Sequence, residues 1–355
     1  MLDPRFFKSS DSGRPTEFGV IYPSDERWLA TRTREEVCDP ELEIVDPHHH
    51  LWEQPFPYQL TDLVSDLSGG HRVGATVFVE CGAGYRTGGP EVMRPVGETE
   101  AVAQQAAVLD AAGSRTRIAA GIVGFADLTM GPGVQSLLEQ HVAVAHGRFR
   151  GVRFSTGWDA SDRIENAQAA KRPGMLAEPG FREGVRALAR LGLSFDAWVF
   201  HTQLTEVADL ADASPGLEIV LNHCGGSLGY GPYATDRRGH FARWESSLFE
   251  LARRPNVSCK LGGLLARGAA FDYLTATVPP TSEQLALIGK PWLETCIEAF
   301  GPSRCMFESN YPVEKMGVDY TTLWNAFKKA TAEASPHERA LLFSGTARRV
   351  YRLPN

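Results

Sequence analysis

The chain lacks any concentration of positive charge. Its 36 Lys and Arg residues are outnumbered by 43 Asp and Glu, giving a net charge of -7, and the bases are scattered. A grip on phosphate backbones or anionic lipid is therefore not expected, which argues against nucleic acid and membrane surfaces as partners. Long apolar runs are missing too: no stretch approaches the roughly 20 residues needed to span a bilayer. The opening MLDPRFFKSSDSGRP has no apolar core of a signal peptide. A cytoplasmic protein is the expectation. The six cysteines, Cys38, Cys81, Cys224, Cys259, Cys296 and Cys305, contain no CxxC pair and read as reduced core residues. No GxGxxG follows a strand and no GxxxxGK[ST] occurs, so nucleotide cradling has no support.

What is present is an ordinary globular composition, 43% hydrophobic and 22% charged over 355 residues, enough to bury a sizeable core. Residues 1–42 mix Pro, Gly and both charges without periodicity, and read as an arm lying over a domain formed by residues 43–355. Eight short apolar or β-branched runs follow: 43–48, 75–80, 117–125, 149–154, 193–200, 217–222, 256–261 and 304–309. Helical stretches such as 97–113, 179–192 and 290–301 lie between them. Strand starts recur at roughly 24 to 48 residues, the size of a βα unit. Nearly continuous apolar runs are what parallel strands buried on both faces require. Eight such units predict a (β/α)₈ (TIM) barrel with an N-terminal extension, whose chemistry sits at the carboxyl ends of the strands.

Histidines crowd those ends. The first strand closes as Asp46-Pro47-His48-His49-His50, and a period of two puts His48 and His50 on one face. The fifth strand runs to His201, the sixth to His223, and the eighth into Asn310. A single histidine at a strand end is commonly just a hydrogen-bonded structural residue. Four of them together predict one site, able to hold an ion or an oxyanion between imidazoles.

VDPHHHLWE, FRGVRFS, LNHCGG, VSCKLGGL, RCMFESNYPVEK and the closing SGTARRVYRL resemble the amidohydrolase superfamily. More narrowly they are similar to the amidohydrolase-related (amidohydrolase 2) group, which includes sugar lactonases, 2-pyrone-4,6-dicarboxylate lactonase and metal-dependent decarboxylases. The resemblance spans about residues 43 to 352. It implies that His48, His50 and His201 hold a divalent ion, Zn²⁺ or Mn²⁺ from their nitrogen donors, with His223 on the substrate carbonyl or the attacking water. A metal-independent variant, as in the dicarboxylate lactonase, stays open.

One position departs from that pattern. The acidic residue expected after the eighth strand is Asn310, which cannot serve as a carboxylate base. Glu308, two positions earlier, offers a carboxylate one layer deeper, either as a base or in a buried pair with Lys260 of the seventh strand. Arg153 suits a substrate carboxylate or pairs with a neighbouring acid. Glu80 either serves the metal, water or a substrate hydroxyl, or contacts the loop at 82–97. Trp52, Tyr58 and Tyr311 are candidates for an aromatic rim around a flat ring. The stretch 229–244 predicts a capping loop, with Arg237 or Arg238 available to an anion.

The expected activity is hydrolysis of a small, carboxylated cyclic ester such as a lactone or pyrone, with a small anionic molecule as partner and a homo-oligomer possible. Non-oxidative decarboxylation of an aromatic or muconate-type acid is the first alternative. A barrel that binds a small molecule without turnover is the second.

Overall fold

The computed structural model describes residues 7–10, 14–167 and 172–354. All eight expected strands are present: β1 (Ile44–His49), β2 (Val73–Val79), β3 (Arg117–Gly124), β4 (Phe149–Arg153), β5 (Ser194–Ala197), β6 (Ile219–Leu221), β7 (Val257–Leu261) and β8 (Cys305–Phe307). They lie in sequence order in one sheet, every neighbouring pair parallel. β1 and β8 meet through side chains more than through a ladder. Ser309 N donates to Asp46 Oδ1 at 3.0 Å, Ser309 Oγ to the His48 carbonyl at 3.2 Å, and His50 N to the Tyr311 carbonyl at 2.8 Å. The result is a (β/α)₈ barrel.

Helices pack outside the strands, their apolar sides in one large core cluster that includes Phe181, Leu188, Trp244, Leu248 and Leu293. The helices Val96–Ala111 and Pro179–Arg190 fall close to the expected stretches. The helix expected at 290–301 begins eight residues earlier, at Ser282. Pro291 looks like a helix start because proline is favoured in a first turn. Here it sits inside the helix, and the start is set by a capping box: Thr281 Oγ1 accepts from Gln284 N, and Gln284 Oε1 accepts from Thr281 N.

A second cluster fills the barrel itself. Val45, Val77, Val79, Val220 and Met306 point inward from the strands, joined by Ala347, Val350, Tyr351 and Leu353 of the C-terminal segment. The described residues before β1 contain one short helix, Glu26–Leu29, and are tied along the barrel by Arg14 to the carbonyls of Tyr273 and Ala276 and by Glu35 to Ser282. Among the described residues, no helix is long and apolar enough to cross a membrane.

Candidate active site

A cavity of about 400 Å³ opens at the carboxyl ends of the strands, lined by His50, Trp52, Glu80, Arg153, His223 and Asn310 among others. This volume suits a small-molecule site. A larger cleft of about 650 Å³ lies on the far side of Trp52, along the helix that carries Glu98, and has none of the histidines on its walls. The chemistry therefore points to the smaller one.

Glu308 is the hub beneath the cavity. Its Oε1 accepts from His223 Nδ1 at 2.7 Å and from the His223 backbone at 3.0 Å. Its Oε2 lies 2.6 Å from His48 Nδ1, off the axis of a good hydrogen bond. All three side chains are buried. The carboxylate at Nδ1 sets the tautomer of His223 and leaves its Nε2 as the lone-pair nitrogen, while His48 Nδ1 also meets Lys260 Nζ at 3.4 Å. On the neighbouring ring, His50 Nδ1 sits 2.8 Å from the Val79 carbonyl, which has the same effect. The two Nε2 atoms of His48 and His50 then face each other at 3.2 Å.

The charges around these rings keep them neutral. Burial, with Lys260 and then the neighbouring histidines and Arg153, holds His48 well below the usual histidine range; burial and Arg153 do the same for His50. Neutral imidazole is the ligand form. The donor set fits a divalent ion on two counts: two imidazole nitrogens aimed at each other at ligand spacing, and ligand atoms of His48, His223 and Glu308 all within 4.8 Å of one another. Arg153 Nη1, 3.3 Å from His48 Nε2, is a donor that competes for the same nitrogen.

Arg153 is locked to Glu80, Nε to Oε1 at 2.7 Å and Nη2 to the Glu80 carbonyl, so it takes an acid as its partner while still facing the cavity. Asn310 also faces the cavity, with Nδ2 3.5 Å from Glu314 Oε1. Trp52 lies nearly parallel to the His50 ring at 5.9 Å between centroids.

Several expected placements differ. His201 stands outside the cluster: its ring packs edge-on against Tyr233 at 4.8 Å and faces His240 at 6.5 Å, while its Nδ1 accepts from Leu228 N at 3.4 Å. β5 ends at Ala197, and His201 opens a 3-10 turn, so strand parity does not carry to it. The trio His48, His50 and His201 is thus corrected to a cluster of His48, His50, His223 and Glu308. Lys260 pairs with Asp196 Oδ2 at 2.8 Å, in place of the pair with Glu308. The Tyr58 hydroxyl donates to Asp66 at 2.8 Å and the Tyr311 hydroxyl to the Val318 carbonyl at 2.6 Å, so both are structural struts and not cavity wall. Arg237 is spent on the carbonyls of Gly268 and Ala269. The cavity instead receives Arg267, whose guanidinium lies over the Trp198 ring at 5.3 Å. Nothing in the local sequence around Arg267 marks it.

Comparison with known proteins matches residues 45–353 to the amidohydrolase model. The chain belongs to the amidohydrolase family. Within reach of this family it is similar to the protein y4mH of Sinorhizobium fredii, 32% identical over 330 residues, covering 88% of this chain and 99% of that one. It is also similar to the L-fucono-1,5-lactonase of Burkholderia multivorans, 28% identical over 326 residues, 87% of this chain and 96% of the relative. Among solved structures, a Burkholderia multivorans amidohydrolase with bound zinc superposes with a TM-score of 0.65 at 25% identity, covering 88% of this chain and 99% of that chain. The histidine cluster lies at the carboxyl ends of the strands, the face on which barrels of this kind carry their active sites.

Proposed function

We propose that this amidohydrolase opens a small cyclic ester: water adds to the lactone carbonyl, the ring C–O bond breaks, and a hydroxy acid leaves with release of one proton at neutral pH. The observation that carries the reading is the convergence of His48, His50, His223 and Glu308 with Arg153 on one cavity. The similarity to an L-fucono-1,5-lactonase supports it. A divalent ion, Zn²⁺ or Mn²⁺, held by His48, His50 and neighbouring donors would polarise the carbonyl and ease deprotonation of water. His223, with Nδ1 tied to Glu308, presents Nε2 as acceptor for the proton of the attacking water. Glu308 holds His223 in that tautomer and balances the positive charge that develops on it. The Arg153 fork, braced by Glu80, donates to the carbonyl oxygen as it gains charge, or to a carboxylate on the substrate.

Non-oxidative decarboxylation of an aryl acid is the second reading, favoured by Asn310, an amide where the family pattern expects a carboxylate. Proton release on a panel of five- and six-membered lactones, with identification of the hydroxy acid product, tests the first reading. Carbon dioxide released from aryl acids with no lactone opened would replace it with the second.

A further inference from the structure

The candidate cavity is not built by the barrel alone. Phe7, Gly19 and Ile21, all ahead of residue 45 where the family match begins, stand on its wall. The segment is anchored there. Phe7 and Ile21 form a bridge, Lys8 N donates to the Ile21 carbonyl at 2.9 Å, and Gly19 N donates to the Ala266 carbonyl at 2.9 Å. Gly19 has φ +83, and a Cβ there would come within 2.3 Å of the Tyr230 hydroxyl, so close approach to the loop after β6 requires glycine. The Phe7 ring packs edge-on against Trp52 at 5.2 Å, and Trp52 in turn lies over His50. The arm therefore touches the ring that covers the histidine pair.

From this placement we infer that the N-terminal arm is a specificity element, and that Phe7 and Ile21 select substrates whose leaving or acyl part carries a flat apolar group. The cavity is divided in kind. The histidine end is polar, with His50, His223, Arg153 and Asn310; Phe7, Ile21, Trp52, Phe125 and Trp198 supply the apolar wall, with Arg267 over Trp198 and with Tyr85 and Ser155 as further polar points. A polyhydroxy sugar lactone would leave several hydroxyls facing apolar side chains, each at the cost of an unmade hydrogen bond. An aryl or alkyl substituent would instead bury apolar surface against Phe7 and Ile21. The substrate class this fits is a lactone with an aryl or extended alkyl substituent, with or without a carboxylate for Arg153. This inference rests on the hydrolase reading for its chemistry, while its recognition part is tested without turnover.

The test uses the full chain and the variants Phe7→Ala, Ile21→Ala and Gly19→Ala, each checked for an unchanged thermal melt. Equilibrium binding of an aryl-substituted hydroxy acid and of a sugar acid, L-fuconate, is measured by titration calorimetry. The expected result is that the native chain binds the aryl acid more tightly, and that Phe7→Ala and Ile21→Ala weaken it about tenfold, at least fivefold more than they weaken the sugar acid. Gly19→Ala, which must push the arm off Tyr230, is expected to do the same. Equal weakening of both ligands, no weakening, or no binding of the aryl acid by the native chain would overturn the inference. A selective loss of binding in a protein that opens no lactone would support the arm's role and reject the hydrolase reading alone.

Discussion

His48 Nε2 and His50 Nε2 face each other 3.2 Å apart; His50 has its other nitrogen on the Val79 carbonyl, while His48 Nδ1 lies between Glu308 Oε2 and Lys260 Nζ. Two nitrogens bound at about 2.0–2.1 Å to one tetrahedral ion lie about 3.3 Å from each other. The spacing accommodates two ligands on a shared cation, and equally one imidazole N–H donating to the other ring when no cation is bound. We expect the purified protein to carry close to one divalent ion per chain, and His48→Ala or His50→Ala to lower both ion content and turnover, the latter by at least about a hundredfold. Elemental analysis and initial rates on the same preparations check this; full ion content in either variant would remove that residue from the ligand set.

Glu308 reaches His223 at 2.7 Å and His48 at 2.6 Å from opposite oxygens, so a single substitution should disturb two rings at once. Glu308→Gln retains the shape but supplies an oxygen to only one ring and places an NH₂ group at the other. The expected loss is roughly ten- to a hundredfold in metal affinity, the range for an outer partner of a ligating histidine. Turnover should fall in a protein that remains folded. Competition with a chromophoric chelator reads the affinity, and unchanged affinity together with unchanged turnover would mean that Glu308 is only packing.

The eight strands were readable because burial on both faces leaves nearly continuous apolar runs, as in 117–125 and 217–222, and no other element produces that pattern at βα spacing. His48 and His50 were readable because they lie in or directly after β1, where the period of two aims them; His223 and Asn310 follow β6 and β8 within two or three residues but through left-handed backbone, so the sequence marked their place and not their direction. His201 was not, since three residues of loop after Ala197 and a tight turn redirect it toward Tyr233. Lys260 showed that a buried charge needs a partner, but not which one. Asp196 sits one residue before the end of β5, two strands away across β6, and only the arrangement of side chains inside the barrel brings it to 2.8 Å. The arm's part in the cavity was hidden because its sequence has no periodicity; Arg14 and Gly19 are placed by contacts to residues more than 200 positions away.

Lys260 and Asp196 are both fully buried, and Asp196 Oδ2 also accepts from the Tyr351 hydroxyl at 2.7 Å and from Asn222 at 3.2 Å. Truncating one member of a buried pair leaves the other charge uncompensated, at a cost of about 3–5 kcal/mol. Asp196→Leu should therefore lower the urea midpoint strongly. The double variant Asp196→Leu/Lys260→Met should recover part of that loss, because it removes both charges. A double variant as unstable as the single one would show that the pair does not account for the effect.

Glu98 supplies a stability change with pH. Burial, followed by the nearby Glu80 carboxylate, pushes its carboxyl from 4.5 up to about 8, despite hydrogen bonds from the Cys81 and Ala83 amides. In the unfolded chain the group loses its proton near pH 4.5, while in the folded protein it keeps the proton until about pH 8. Over that window the folded state binds more protons than the unfolded state, so stability falls as pH rises and levels off above it. Glu98→Gln removes this slope. The difference in unfolding free energy between variant and native protein should shift in the variant's favour between about pH 5 and 8, by a few kcal/mol at most. A difference that stays constant across urea melts in this range would mean that Glu98 titrates alike in both states.

Asn310 faces the cavity with its amide nitrogen 3.5 Å from Glu314 Oε1, and burial raises the Glu314 carboxyl to about 7. Asn310 adopts φ 53, a left-handed conformation that Asp also tolerates, so Asn310→Asp should fold without backbone strain. The substitution replaces a donor to Glu314 with a second carboxyl in the same buried space. Two acids at this separation resist losing both protons, and one of them must titrate higher. The pair would share a proton near neutrality and shed it as pH rises. The rate profile for kcat/KM should therefore acquire a new ionisation between about pH 5 and 8, absent from the native enzyme. If residue 310 holds the reacting water, the change appears in kcat as well, and if it only lines the cavity, in KM alone. A profile identical to that of the native enzyme in both parameters would place Asn310 away from the reacting atoms and leave His223 as the proton acceptor without help from this position.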